Sequence, residues 1–295
     1  MARRLKNLEE VAVIGAGLAG LSAARQAARL GRMVTLFEAS GLYGGLVATL
    51  GEVEDLPFPG TWSGQDLAMH LLEQSQKVGV RLIDAAVERL ELGDRISLAD
   101  ANGATYAPDA VIVATGGSLR KLGVPGEEEF AGRGVSRCAT CDGGFYRGKH
   151  VAVIGGGDGA VHEAMTLSRV AGQVTMVCRS PLKARREHID KLDARDNVRF
   201  VWDSEVTAIH GDMKVTGLAL RNLRSGEVSE LACDGVFPFI GIDTANPLVA
   251  ACAGGDPRIF LAGAARAGFG GTGIEAMAEG VSAAEAAHRF LSGSK

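Results

Sequence analysis

Val11-Ala12-Val13-Ile14-Gly15-Ala16-Gly17-Leu18-Ala19-Gly20 decides the fold, and Val151-Ala152-Val153-Ile154-Gly155-Gly156-Gly157-Asp158-Gly159-Ala160 nearly repeats it. Each stretch is a short apolar run that breaks into glycines. The first reads as a strand, Val11–Ile14, then Gly15-x-Gly17-x-x-Gly20 and an alanine-rich helix, Leu21–Leu30. A second strand, Met33–Phe37, follows and ends at Glu38. The later copy reads as strand Val151–Ile154, Gly155-x-Gly157-x-x-Ala160, helix Val161–Val170 and strand Val174–Val177. Strand, glycine turn, helix and parallel strand make the βαβ unit of dinucleotide-binding folds, present here twice.

Working outward, Pro108–Ala114 reads as a buried strand that ends at Thr115-Gly116-Gly117. Its counterpart after the second copy is Asp234–Gly241. Arg258–Gly263, the glycine-rich Ala267–Gly273 and a helix over Ile274–Leu291 then complete the first unit. The predicted fold class is therefore α/β, with two Rossmann-like dinucleotide-binding domains, the second inserted into the first. The expected boundaries are 1–117 with 242–295 for the outer domain and 118–241 for the inserted one. Gly116–Ser118 and Gly241–Asn246 are the expected crossings. Asp84–Tyr106 alternates apolar and polar residues around turn signals at Gly93-Asp94 and Asn102-Gly103, as a small antiparallel hairpin does. Trp202–Leu231 has the same texture, with a turn at Ser225-Gly226.

Composition narrows the class. The chain has 295 residues, 46% of them hydrophobic, so it can bury a large core. Its 41 glycines carry no low-complexity tract and fit many tight turns. A net charge of −4 offers no basic surface to nucleic acid or an anionic membrane. No apolar stretch reaches the roughly 20 residues a membrane span needs. Met1-Ala2-Arg3-Arg4 before an apolar run superficially resembles a leader, but Glu9 and Glu10 interrupt it and the glycine spacing explains the run better. A cytoplasmic protein is expected.

The glycine turns locate two sites. Gly15, Gly17 and Gly20, with Leu18 and Ala19 between the last two, allow a tight turn and close approach of a pyrophosphate, and the helix that follows offers N–H groups and a dipole that favour an anion. Glu38, 23 residues after Gly15, can accept hydrogen bonds from ribose hydroxyls. The residue 23 after Gly155 is Cys178, followed by Arg179. Loss of the carboxylate beside an arginine favours a 2′-phosphate, hence NADPH over NADH. Lys183, Arg185 and Arg186 can add positive charge.

Five cysteines, an odd number, do not read as a secreted disulfide framework. Cys138-Ala139-Thr140-Cys141-Asp142 contains the one C-x-x-C, whose spacing permits a small, readily cycled disulfide. Asp142 follows directly and can relay protons during exchange. Zinc needs a second pair or well-placed histidines, and the six histidines are scattered, so no metal is expected. Cys178, Cys233 and Cys252 sit in apolar settings and read as bystanders.

With these motifs in place, the chain resembles the low-molecular-weight thioredoxin reductase family over almost its whole length. Further matching segments are Gly44-Gly45-Leu46, Val53-Glu54-Asp55-Leu56-Pro57, Ala114-Thr115-Gly116, Gly132-Arg133-Gly134-Val135-Ser136, Phe145-Tyr146 and Asp234-Gly235-Val236-Phe237. Cys138 through Gly143 is the most specific match. The resemblance implies FAD in the outer domain, at Gly15–Gly20, Glu38, Gly45, Leu46, Thr115, Gly116, Gly263 and Ala264. It implies a pyridine nucleotide in the inserted domain, at Gly155, Gly157, Asp158 and Arg179. It also implies a catalytic group of Cys138, Cys141 and Asp142, fed by NADPH through FAD and discharged onto a thioredoxin-like protein or small disulfide substrate. Swinging of the inserted domain about the two crossings, and a homodimer, follow from the same resemblance.

The departures are specific. The family has two adjacent arginines after a histidine, where this chain has Cys178-Arg179-Ser180. Its Ala-Gly-Asp, whose acid holds the flavin's ribityl chain, is here Ala262-Gly263-Ala264. Its Arg-Gln-Ala stretch appears as Gly273-Ile274-Glu275-Ala276 or nearby, and the segment from Pro247 to Arg258 is short. Backbone N–H groups of Gly268–Gly273 are the expected substitute contacts for FAD. Two other readings therefore stand beside an NADPH-linked reductase. One is a flavin enzyme without NADPH, reduced by a ferredoxin-like protein or running as a dithiol oxidase. The other is a flavin-free redox sensor.

Overall fold

The computed structural model describes residues 9–53, 56, 60, 62–269 and 271–293. Glu54, Asp55 and Pro57 of the matching segment, the first eight residues and Gly270 lie outside the described residues. The chain divides into two compact units, Met1–Gly117 with Thr244–Lys295, and Ser118–Asp243.

The outer unit begins with β1 (Glu10–Ile14), α1 (Leu18–Arg29) and β2 (Met33–Phe37). Next come α2 (Gly64–Lys77), β3 (Arg81–Ile83), β4 (Val87–Leu92), β5 (Ile96–Asp100), β6 (Thr105–Tyr106) and β7 (Ala110–Val113). The inserted unit holds β8 (Ser118–Leu119), α3 (Ala139–Asp142), β9 (His150–Ile154), α4 (Asp158–Ser168), β10 (Gln173–Val177) and α5 (Arg186–Asp193). It continues through β11 (Val198–Val201), β12 (Ser204–Gly211), β13 (Val215–Asn222), β14 (Val228–Ala232), β15 (Gly235–Pro238) and β16 (Ile242–Asp243). The chain then returns to the outer unit with α6 (Pro247–Ala251), β17 (Ile259–Leu261) and α7 (Gly273–Gly293).

Each unit is built on a parallel sheet. In the outer unit the order is β17-β7-β1-β2-β3, and in the inserted unit β11-β10-β9-β15. The two repeats occupy equivalent places: β1 lies between β2 and β7, and β9 between β10 and β15. Strands covered on both faces read as continuous apolar runs. Val11, Val13, Val151 and Val153 are all fully buried. The expected 84–106 hairpin is a three-stranded antiparallel sheet, β4-β5-β6. Asp100 makes its second turn, accepting hydrogen bonds from the Asn102 and Ala104 amides and the Tyr106 hydroxyl, each at 2.9 Å. In the inserted unit β12-β13-β14 form the second antiparallel sheet, and β8 pairs with β16.

Both repeat helices start three residues before the expected positions, at Leu18 and Asp158. The last residue of each glycine motif, Gly20 or Ala160, lies inside the first helical turn. A Cβ on Gly20 would stand 1.8 Å from the Gly15 carbonyl oxygen, so helix and turn meet backbone to backbone. In the inserted unit Ala160 takes this place, its buried Cβ 3.2 Å from where a Cβ on Gly155 would stand.

Gly20→Ala should therefore lower the melting temperature by several degrees, a cost of about 1–3 kcal/mol for forced overpacking. Gly159 is the control: no heavy atom lies within 4 Å of its would-be Cβ. Gly159→Ala should stabilise the fold by about 0.5–1 kcal/mol through helix propensity. Thermal unfolding of both variants checks the pair.

Candidate functional site

In the outer unit the expected residues converge at the C-terminal ends of β1 and β7. Gly15 has φ 100°, and a side chain there would strike the Ala114 carbonyl at 2.5 Å. That contact places Thr115 and Gly116 beside the turn. Gly44 donates to the Ala16 carbonyl at 2.8 Å, and the Cα of Gly17 lies 3.3 Å from where a Cβ on Gly45 would stand. Gly45 opens a 3-10 turn, Gly45–Thr49, in which the Leu46 carbonyl accepts the Thr49 hydroxyl at 2.7 Å. Gly263 approaches Ala19, whose Cβ lies 2.9 Å from its would-be side chain.

Two groups differ from the sequence expectation. The buried Glu38 carboxylate accepts the Ala16 amide at 3.0 Å, the Ser40 amide at 2.8 Å and the Ser40 hydroxyl at 2.7 Å. Part of its accepting capacity thus holds the glycine turn itself. Ala264 brings no carboxylate, but α7 supplies one nearby. Glu279 accepts the Gly263 amide and the Arg266 Nε, each at 2.8 Å. Sequence reasoning missed Glu279 because the acid comes from a helix far along the chain.

The inserted unit holds a cleft of about 500 Å³ lined by Gly155, Gly157, Asp158, Arg179, Ser180 and Lys183, among others. Cys178, next to Arg179, is a buried thiol that donates to the Gly155 carbonyl at 3.3 Å. The segment after Arg179 folds across the turn: the Lys183 amide donates to the Gly156 carbonyl at 2.7 Å. Asp158 accepts the Arg185 amide at 2.9 Å, and its carboxylate lies 3.3 Å from His188 Nδ1. Lys183 therefore lines the cleft, and the Arg185 backbone is tied to Asp158.

Cys138 and Cys141 form a disulfide with a Cα–Cα distance of 5.3 Å. Cys138 caps the short α3, its sulfur accepting the Cys141 amide at 3.0 Å. Cys138 is half-buried and Cys141 exposed. Asp142 ends the same turn. Ser136 orients it, donating to its carboxylate at 2.6 Å and accepting the Cys138 amide at 3.2 Å. Two buried carboxylates brace the turn from outside. Glu127 accepts the Leu122 and Gly123 amides and pairs with Arg137 at 3.2 Å. Glu163 on α4 accepts the Ala139 amide at 2.7 Å. A signal for Glu163 was present: Ala160, Glu163, Ala164 and Leu167 fall on one helical stripe, so the acid sits in the core register.

The geometry suits a dinucleotide at each glycine turn. Ser63 caps α2 and Asn246 caps α6 with side chains, whereas α1 and α4 begin at Gly17 and Gly157 with no side-chain cap. No side chain of the cap residue competes with an anion for their first N–H groups. A Cβ on Gly17 would meet only the Gly44 carbonyl, at 4.0 Å, and one on Gly157 nothing within 4 Å. The Thr115 hydroxyl oxygen, beside Gly15, is buried and has no hydrogen-bond partner among the described residues.

Comparison with known proteins agrees. The family model for pyridine nucleotide-disulphide oxidoreductases matches residues 9–258. The thioredoxin reductase of Streptomyces coelicolor is 40% identical over 260 residues, 87% of this chain and 81% of that protein. The chain belongs to the thioredoxin reductase family. The bifunctional thioredoxin reductase/thioredoxin of Mycobacterium leprae is 41% identical over 259 residues, 87% of this chain and 56% of that protein. The crystal structure of Lactococcus lactis thioredoxin reductase matches with a TM-score of 0.93 and 32% identity, covering 97% of this chain and 99% of that one. Like its family, the chain is an oxidoreductase. Among the described residues no helix is long and apolar enough to cross a membrane.

The three other cysteines of this thioredoxin reductase homologue are buried. Burial pushes the Cys178 thiol up to about 11, and burial with the nearby Asp234 charge pushes Cys233 up to about 12. Burial and the Asp256 charge raise Cys252 as well. A raised pKa keeps the thiol protonated and unreactive. The reduced native protein should therefore take up two alkyl groups at pH 8, on Cys138 and Cys141, with labelling of Cys178 growing only toward pH 11. Mass spectrometry after iodoacetamide treatment checks this. The sign for stability is the same: folding stability linked to Cys178 and Cys233 is present below the free-thiol value and lost as pH rises through the folded values.

Proposed function

We propose that this protein is an FAD-dependent disulfide reductase that takes electrons from NADPH and delivers them through Cys138 and Cys141 to the disulfide of a thioredoxin-like protein. The observation that carries the proposal is the Cys138–Cys141 disulfide on the same unit as an uncapped glycine turn. The Mycobacterium leprae relative, whose name joins a reductase to thioredoxin, supports the choice of partner.

Gly15, Gly17, Leu18, Ala19, Gly20, Glu38, Gly45, Leu46, Thr115, Gly116, Gly263 and Ala264 would hold FAD. Gly155, Gly157, Asp158 and Arg179 would hold NADPH. When bound, the flavin supplies the two-electron chemistry between nicotinamide and disulfide. The remaining tasks belong to the chain. Helix N–H groups at Gly17 and Gly157 meet the two pyrophosphates. Arg179, with Lys183, meets the 2′-phosphate. When the S–S bond opens, the Cys141 amide faces charge left on the Cys138 sulfur. Asp142, held by Ser136, takes or gives the proton that accompanies exchange with the substrate disulfide. Cytoplasmic residence is supported by three unpaired cysteines, as expected of a reducing compartment. A homodimer follows the family resemblance.

A second reading keeps FAD and the dithiol without NADPH. It is favoured by the backbone bond from Lys183 to Gly156, which draws the 180–185 segment over the second glycine turn.

Anaerobic titration with NADPH, then NADH, separates the two. Flavin bleaching near one equivalent of NADPH supports the first. A flavin untouched by either nucleotide but reduced by dithiols supports the second. Arg179→Ala should raise KM for NADPH by about 10- to 100-fold while leaving NADH use unchanged, the loss of one charge-assisted contact. Asp142→Asn should slow reduction of the protein disulfide by about a hundredfold or more, with flavin reduction intact. Stopped-flow traces resolve the two half-reactions.

A further inference from the structure

Glu163 is the deepest carboxylate in the inserted unit. It is 1% exposed, among Ala160, Ala164 and Leu167 of α4. A carboxylate in such surroundings is retained only against hydrogen-bond donors. The donor is the backbone N–H of Ala139, at 2.7 Å. Ala139 follows Cys138 directly and is the first residue of α3.

This position has an electrostatic consequence. The N-terminus of a turn stabilises a thiolate through free N–H groups and its positive end. Here one of those N–H groups is given to a buried acid. The Cys138 sulfur accepts the Cys141 amide, at 3.0 Å. A negative charge next to a thiol favours its protonated form. Reduction breaks the Cys138–Cys141 bond, takes two electrons from the reductase's own donor and one proton from solvent, and leaves one thiol and one thiolate. Any group that disfavours the thiolate makes this step harder and the dithiol a stronger reductant.

We propose that Glu163 is a positioning residue that sets the thiol pKa and the reduction potential of the Cys138–Cys141 pair through the Ala139 amide. Other charged and titratable groups also face this turn. Asp142 lies on α3 itself, and Tyr146 follows it in the next turn. Arg137 precedes it and is paired with Glu127. His162 neighbours Glu163 on α4, its Nδ1 3.8 Å from the Glu163 carboxylate. Glu163 differs from these in bonding the backbone of the dithiol turn and in being almost wholly buried.

The inference rests on Cys138 and Cys141 being the working dithiol, so the test includes that reading separately. The full-length protein is equilibrated in dithiothreitol redox buffers, and the pair's oxidation state is read by thiol labelling and mass spectrometry. The pH dependence of iodoacetamide labelling is measured on the reduced form. Glu163→Gln keeps shape and removes the charge. It should lower the apparent pKa of the faster-labelling cysteine by about one unit and move the midpoint potential to a less negative value. A purely structural role would change labelling rates equally at all pH values and leave the pH midpoint in place. An unchanged midpoint and potential in Glu163→Gln overturns the proposal.

If that variant does not fold, Ala139→Pro carries the test. Proline is tolerated at the first helical position; here it removes the N–H donor and with it the link from Glu163 to the turn. A shifted labelling midpoint in Ala139→Pro supports the proposal, and an unchanged one overturns it. A wild-type pair that cannot be cycled by dithiothreitol overturns both this proposal and the working-dithiol reading, whereas normal cycling with no effect in the variants overturns this proposal alone.

Discussion

The structure depends on a backbone-to-backbone contact at the end of a buried parallel strand. At Gly20 the first turn of α1 touches the carbonyl of Gly15, with no room for a methyl group between them. Only glycine lets strand, turn and helix meet so closely. The contact aims the helix N-terminus at the open end of the sheet and leaves its first N–H groups without a side-chain cap. A second close approach extends the arrangement. A Cβ on Gly280 of α7 would stand 2.0 Å from the Ala19 carbonyl. The last helix of the chain thus packs on the first helix at the same residues that form the turn.

The repeat in the inserted unit uses the same geometry with different chemistry. In the outer unit Glu38 ties the glycine turn to the end of β2. In the inserted unit the equivalent position is Cys178, whose thiol bonds the Gly155 carbonyl and carries no charge at neutral pH. That strand end carries a neutral thiol in place of a carboxylate, and Arg179 and Lys183 line the cleft together with Asp158 and Glu205. Shape is inherited from the βαβ unit, while preference between ligands is decided by a few side chains at the strand ends.

The redox turn is an exposed feature on a buried polar frame. Cys141 and Thr140 face solvent, while Glu127, Ser136 and Glu163 behind them are buried. Each of these polar groups has a partner, as burial requires. A four-residue helix has little stability of its own. Its conformation is held by contacts from α4, from the 122–127 loop and from Ser136, so the dithiol is presented by a rigid support.

The βαβ repeats, the insertion of one domain into another and the C-x-x-C motif were legible in the chain, because each is written in neighbouring residues. Apolar runs of strand length, glycines at fixed spacing and a cysteine pair are local patterns, and local sterics enforce them. The missing acid at Ala264 and the altered arginine motif at Cys178-Arg179-Ser180 were visible for the same reason. Glu38 bonding the glycine turn, Glu279 reaching Gly263, and Glu127 and Glu163 bracing the dithiol were decided by the tertiary structure. Glu38, Glu127 and Glu163 are buried, and Glu38, Glu163 and Glu279 bond backbone amides well removed in sequence. A buried carboxylate is defined by what surrounds it, and linear sequence carries that only as an acid on an apolar helical stripe. The sequence by itself determined which chemistry the chain carries; the packing of its helices onto the two sheets determined which charges stand next to that chemistry.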